Sequence, residues 1–344
     1  QVLSESPDVS SPAKAWDNLQ KRPAHTDHHT QLSQAPFWFT FSLPNESALA
    51  AKVIEFPSRH LVEIACWNAT TFTPLGSANR QTTQGSVMLA KAGFALEMLA
   101  DLKHSPVVCR TSAIGPARLS ALKWEPTDFK TSVQDFHRKS GLLDGGILIL
   151  TAFVLITALI NKNGLYILFA GWLVVNLRMG ALSAGWDTQW LGHSVPYPWL
   201  IQGRLITVAL FYLLTLTLFT SLFKEDLLKV GHQHLLRMAQ WTCFPLLALS
   251  FVLPFDSFLP LMWPIAGLGI LLLAFQLVQI LKKTRSRVAI WYSAAISITL
   301  LSSFSEVISA ALGIKGFIGS VNSVTAALSS SLLAALAIAE QMRQ

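Results

Sequence analysis

Charge is scarce in this chain. Only 13% of its 344 residues are Asp, Glu, Lys or Arg, against roughly 25% in ordinary soluble domains. The shortage sits in the second half, so it reports burial in lipid and not disorder. Catalytic signatures are missing as well. There is no phosphate-cradling glycine loop, no nucleophile elbow, no histidine pair at zinc-protease spacing and no dinucleotide fingerprint. No activity can be assigned to these residues, and no cofactor is expected. A secretory leader is not visible: the chain opens at Gln1 in a polar stretch, not with a basic and then an apolar segment. An exported front domain then implies a leader already removed, or a boundary imposed upstream. Cysteine is limited to Cys66, Cys109 and Cys243. Cys243 lies in an apolar run. Cys66 and Cys109 lie in the front part, where export makes a disulfide chemically allowed. Two buried thiols in strands are the alternative, because spacing does not reveal whether the Cα atoms approach within ~7 Å.

What the chain does have is long apolar runs. A bilayer core takes about 20 mostly apolar residues per helix. Seven runs qualify: 142–161, 164–185, 200–223, 238–254, 258–281, 288–312 and 319–340. An odd number puts the two chain ends on opposite sides of the membrane. With the front outside, the inner joints carry Lys162; Lys224, Lys229 and Arg237; and Lys282, Lys283, Arg285 and Arg287, with Arg343 after the last run. The outer joints carry only Lys315. That asymmetry matches the positive-inside rule, and the opposite orientation violates it throughout. The expected location is a bacterial inner membrane, with a periplasmic front domain and a cytoplasmic C-terminus. The formal net charge of +7 belongs largely to these joints, so a nucleic-acid partner is rejected.

Before residue 142 the pattern changes. Residues 1–34 read as a polar lead-in, extended or partly disordered and tied down by Trp16. In 37–43 the odd positions are apolar and the even ones mostly polar, the period of a half-buried strand. Further strand-like runs are 50–56, 60–67, 70–74, 86–90, 94–99, 106–111 and 118–124, separated by Pro, Gly, Asn and Ser. Many short strands at this spacing predict an antiparallel sandwich over 35–126, large enough to fold alone. In 127–140, Phe129, Val133 and Phe136 share one face of a helix. This connector reads as an amphipathic helix on the headgroups and as the link between the sandwich and the helices of 141–344.

Several side chains could carry function. Arg178, Arg204 and Glu306 lie inside apolar runs, where an ionisable group is costly and needs a reason. With Asp187 they fall at one outer level. They predict a polar cluster that serves as a pocket floor or a signalling lock; static ion pairs or snorkelling are the plainer account. The joint 186–199 is rich in aromatics, as interfacial belts are. It also carries His193, a candidate for a ligand lid. His25, Asp27, His28 and His29 are chemically able to bind metal, but their spacing matches no recognised site, and no metal is expected. His232 and His234 read as solvated loop residues. Small and hydroxylated residues dominate 319–331, which predicts close helix packing, with a water-filled path as the sharper reading. The good helix formers of 334–342 are suited to continue as a dimeric stalk. Asn45 and Asn68 head glycosylation sequons by pattern alone.

The order of parts is then recognisable. Pro36-Phe37-Trp38-Phe39 opens the sandwich, Leu61-Val62-Glu63-Ile64 lies mid-domain, and Pro106-Val107-Val108-Cys109-Arg110-Thr111-Ser112 precedes Leu122-Lys123-Trp124 and the connector. Seven runs follow, with Lys224-Glu225-Asp226 after the third. This resembles the bacterial seven-transmembrane receptors with diverse intracellular signalling modules, together with their type-two extracellular domain. The resemblance implies a jelly-roll-like sandwich, related to carbohydrate-binding modules, on a seven-helix bundle. It implies a receptor for a small ligand, a sugar or another polar metabolite. The partners expected beside the ligand are the bilayer, from the apolar runs, and a second copy joined through the C-terminal helix, from its good helix formers. The resemblance further implies output through a diguanylate cyclase, a phosphodiesterase or a histidine kinase, hence a role in cyclic-di-GMP signalling. The chain stops at Gln344, where an output helix would continue, so the expectation is a chain cut before that module, with a natural stand-alone receptor as the other reading. The alternative is a transporter or permease subunit with an accessory outer domain, for which inverted repeats would be the mark. An intramembrane enzyme lacks paired catalytic residues at mid-depth.

Overall fold

The computed structural model describes residues 1–6, 9, 11–25, 28–30, 33, 35–41, 52–98, 106–115, 117–162, 164–185, 195–231, 233–284, 288–298 and 323–343. The chain divides into two compact units, the first being Gln1–Ser140 and the second beginning at Gly141.

The first unit is built on antiparallel sheets. Its strands are β1 (Val2–Ser4), β2 (His28–His29), β3 (Phe37–Phe41), β4 (Lys52–Phe56), β5 (Leu61–Asn68) and β6 (Pro74–Asn79). They continue as β7 (Thr83–Gly85), β8 (Val87–Ala90), β9 (Gly93–Met98), β10 (Val107–Ala113), β11 (Arg118–Leu119) and β12 (Leu122–Trp124). One sheet runs β1-β3-β10-β5-β6-β7, another β12-β4-β9-β8, and β11 pairs with β2. Strand alternation sends Phe37 and Phe39 of β3, Ile54 and Phe56 of β4, Phe94 and Leu96 of β9, and Val107 and Cys109 of β10 into one shared core. Phe39 meets Phe56 edge-on at 5.5 Å between ring centroids, a favoured aromatic geometry. Gly93 has no room for a side chain, because a Cβ there would collide with the carbonyl oxygen of Phe56.

Cys66 and Cys109 face each other in the β5–β10 register. Their Cα atoms are 4.1 Å apart and their sulfurs are bonded. The bond closes the centre of the six-stranded sheet.

The first unit differs from the sequence reading in several segments: 118–124, read as one run, divides into β11 and β12 in different sheets, and β7 lies in a stretch read as no strand. The lead-in is not simply extended: β1 pairs with β3, and α1 (Pro12–Leu19) forms behind Ser11, with Pro12 in its first turn. Proline's fixed φ suits that position and its missing N–H costs nothing there. Ala15 and Leu19 of α1 bury against Trp38 and Val108, with Trp16 half-buried beside them. The residues 70–74, read as a strand, lie mostly in a turn, and the strand follows as β6. Asn68 explains the shift. Its side-chain oxygen accepts from the N–H groups of Thr70 (2.8 Å) and Thr71 (3.3 Å), an Asx-type turn that ends β5.

The second helix, α2, runs from Pro126 to Asn161. The connector and the first apolar run are therefore one helical element, despite glycines at 141, 145 and 146 that each weaken a helix by about 1 kcal/mol relative to alanine. The remaining helices are α3 (Gly164–Ala184), α4 (Tyr197–Leu222), α5 (Lys224–Val230), α6 (Gln233–Leu249), α7 (Phe255–Thr284), α8 (Val288–Ile298) and α9 (Ser323–Arg343).

Among the described residues, four helical segments are long and apolar enough to cross a membrane: Pro126–Ile160, Gly164–Leu182, Pro198–Leu222 and Phe255–Lys283. The expected count of seven is thus met only in part. The fourth expected run, 238–254, is displaced: α6 begins earlier, spans 17 residues and gives way to a turn. The last two runs are described only over α8 and α9. Leu148, Ile149, Phe153, Ile156, Leu159 and Ile160 are exposed on α2, as a lipid-facing helix requires.

Candidate functional site

Helix α4 is the hub of the polar contacts inside the second unit. Arg178 of α3 donates from Nε to Thr207 Oγ1 of α4 at 2.8 Å. Thr207 is buried and donates to the carbonyl oxygen of Gly203 at 2.6 Å. The guanidinium passes close to Gly203, where a Cβ would sit 3.4 Å from Arg178 Nη2, an ordinary van der Waals contact. Arg204 lies on the same turn and is half-buried. The structure therefore brings Arg178 to the turn that carries Arg204. Asp187, His193 and Glu306, the other members of the expected cluster, lie outside the described residues.

Neighbouring polar contacts extend this seam. Asn176 of α3 donates from Nδ2 to Ser331 Oγ at 2.9 Å and to Ser330 Oγ at 3.4 Å, all three buried. The hydroxyl-rich α9 thus packs against α3. Trp172 Nε1 donates to Thr215 Oγ1 of α4 at 3.0 Å. Tyr212 of α4 donates to the carbonyl oxygen of Ile265 in α7 at 3.1 Å. Gln240 of α6 donates to Thr220 Oγ1 of α4 at 2.7 Å, and Gln202 reaches the carbonyl oxygen of Ser250. Each such bond is modest in lipid, averaging about 0.6 kcal/mol. Their value lies in direction: together they fix which face of α4 meets α3, α6 and α7. A set of discrete hydrogen bonds between helices can exchange for another set. That is the kind of rearrangement a signalling lock uses.

A second candidate lies in the first unit. Glu63 and Ala65 of β5, Ser77 and Asn79 of β6, Thr82 just before β7, Gln84 of β7 and Arg110 of β10 line a groove of about 270 Å³ on the six-stranded sheet. Register explains the set, since Glu63 pairs with Asn79, Ala65 with both Ser77 and Arg110, and Ser77 with Gln84. Alternation points these side chains away from the core that holds Ile64 and Cys66. Arg110 donates from Nε to Glu5 at 2.7 Å and from Nη1 to Glu63 at 3.3 Å. Asn79 Oδ1 accepts from the N–H groups of Gln81 and Thr82, at 2.8 and 2.7 Å. The lining mixes donors, acceptors and one ion pair, which suits a small polar ligand with several hydroxyl or amide groups. Sequence reading passed over Glu63, Asn79 and Gln84. The alternation that set Cys66 and Cys109 inward also set Glu63 and Arg110 outward, so the clue lay in the same period.

Histidines also cluster in 25–29. Among the described residues no group of three His, Cys, Asp or Glu side chains is placed to hold a metal. His28 stands against Phe37 at 5.6 Å between ring centroids. Burial, and then the neighbouring His25 and His29, push its pKa below the ordinary value. Asp27 and His232 lie outside the described residues. Asn68 is buried and occupied in its turn, which leaves no room for a glycan; Asn45 lies outside the described residues.

No curated protein matches the chain. The family model for 7TM diverse intracellular signalling matches residues 139–341, more than half the chain and all of its apolar helices beyond the connector. By that match, with a β-sheet unit in front and apolar helices of spanning length behind, the chain belongs to the seven-transmembrane receptors with diverse intracellular signalling.

Proposed function

We propose that this receptor senses a small polar ligand outside the cytoplasmic membrane and passes the change inward through its helices. The observation that carries the reading is the family match over 139–341 behind a front unit with its own core and a polar groove. The orientation rests on charge. The joints facing inward in this reading hold Lys162, Lys224, Lys229, Arg237, Lys282, Lys283, Arg285 and Arg287, while Lys315 is the lone basic residue of the outer joints. The host membrane is read as a bacterial inner membrane.

The front unit is read as jelly-roll-like. Its strands nest, β3 pairing with β10 in one sheet and β4 with β9 in the other, as when a long hairpin is rolled up. The groove at Glu63 and Arg110 is the proposed ligand site, and a sugar or a similarly hydroxylated metabolite fits its lining. Only differential affinity can shift a conformational equilibrium, so the ligand must favour one arrangement of the unit over another. The Arg178–Thr207 and Asn176–Ser331 contacts are the proposed lock within the bundle. The proposed output is cyclase, phosphodiesterase or histidine kinase activity, with a second copy of the chain paired through α9.

Cysteine labelling in intact and permeabilised cells tests the topology. Thr82→Cys should react with a membrane-impermeant maleimide from outside, and Lys282→Cys only after permeabilisation. Reaction of Lys282→Cys in intact cells would sink the reading.

A further inference from the structure

Lys91 occupies the two-residue turn between β8 and β9. Its φ of +49° lies in the left-handed region, uncommon for a residue with a side chain and worth explaining where it occurs. Its side chain is largely buried. The ammonium lies 3.1 Å from Oε2 of Glu55, whose side chain is only 3% exposed. It also lies over two aromatic faces, at 4.5 Å from the Trp124 ring and 5.6 Å from the Phe129 ring.

These partners come from three elements: Glu55 from β4, Trp124 from β12 of the same four-stranded sheet, and Phe129 from α2. Glu55 belongs to the four-stranded sheet, on the face where Val53 and Ala95 pack against Phe129, with Val133 beside them. Trp124 and Phe129 flank the start of α2, and their rings meet at 6.4 Å. One cation is thus shared between a carboxylate and an indole on the sheet and the Phe129 ring on the connector helix. Outside this contact, Lys52 and Glu125 form an ion pair whose glutamate is half-exposed, a rim contact of small value.

A buried ion pair is poor value for stability alone, since an apolar pair of similar volume usually does as well or better. What the pair adds is a favourable alternative. When the helix start lifts away, both charges regain water, whereas an apolar pair would lose its burial with nothing in return. We propose that Lys91 is a releasable pin, which holds the start of α2 on the four-stranded sheet and lets go when that sheet changes shape. Only the consequence, a change passed along α2, rests on the receptor reading; docking and release do not.

Hydrogen exchange on the whole chain in lipid nanodiscs tests the pin without any ligand. Lys91→Met strands the Glu55 carboxylate, so exchange over residues 127–136 should rise about tenfold or more. Exchange in β5 and β10 should not change. Glu55→Leu with Lys91→Met turns the pin into a permanent apolar contact, and exchange over 127–136 should fall below that of the native chain. The proposal is overturned if Lys91→Met leaves 127–136 unchanged, or speeds β5 and β10 equally, which would make the pair a plain sheet brace. It is overturned equally if the double variant exchanges at the native rate or faster. Should Lys91→Met fail to fold, the double variant decides alone.

Discussion

Arg80 fastens the turns at one end of the first unit. Its Nε donates to the carbonyl oxygen of Leu61 at 2.7 Å and its Nη1 to that of Ala92 at 3.0 Å. Nη2 reaches the carbonyl oxygens of Ser58 and Arg59, at 3.4 and 3.0 Å. The guanidinium carbon lies 4.9 Å above the Phe94 ring. A planar fork of five donors can satisfy carbonyls from separate segments, which lysine's point charge does not reproduce. Arg80→Ala should cost about 2 kcal/mol locally, the scale of charged hydrogen bonds whose partners are left bare. Exchange at residues 58–61 and 92–94 should quicken roughly thirtyfold, and Arg80→Lys should recover only part of that. Nothing in the sequence marks Arg80. It follows Asn79 in a polar stretch, and its partners are fixed by pairings between distant strands. Arg110, by contrast, follows Cys109 along one strand, so the alternation that buries Cys109 turns Arg110 outward.

At the scale of elements, period and composition were the legible part. The alternation in 37–41 and 107–113 is that of strands with one face in the core, and Phe37, Phe39, Val107 and Cys109 do lie there. The four spanning helices follow from length and apolarity alone. Boundaries were less legible, because side chains set them locally: Asn68 ends β5, and Ser11 with Pro12 starts α1 in a stretch that lacks apolar periodicity. Contacts between helices were not legible, and Gly269 shows why. On α7 it reads as an ordinary membrane glycine, yet it makes space for Tyr212 of α4. A Cβ at 269 would collide with the tyrosine hydroxyl and ring edge, and that hydroxyl holds Ile265. Gly269→Ala should therefore cost about 1–3 kcal/mol, as overpacking does, and lower the melting temperature in detergent. In a Tyr212→Ala background the same change should cost much less. Equal losses in both backgrounds would show that the two residues do not compete for one space.

For the whole molecule, the two units have separate cores, one of strands and one of helices. Their stabilities should then answer to different treatments. Cys66 and Cys109 are 43 residues apart. In the chain-entropy account, closing a loop of that length removes unfolded-state freedom worth about 4 kcal/mol. The bond also joins β5 to β10, the two central strands of the six-stranded sheet, so its loss is felt where most of the core is packed. A domain of this size is only marginally stable. Cys243, the remaining cysteine, is a buried free thiol in α6 and takes no part. Replacing both bonded cysteines by alanine should lower the denaturant or thermal midpoint of the first unit sharply. The transition of the helices, followed separately by far-ultraviolet circular dichroism in detergent, should move little. A single transition that shifts as one would mean that the units unfold together. The front unit's fold would then depend on the bundle, and the Lys91 contact would have to be judged as part of one cooperative whole.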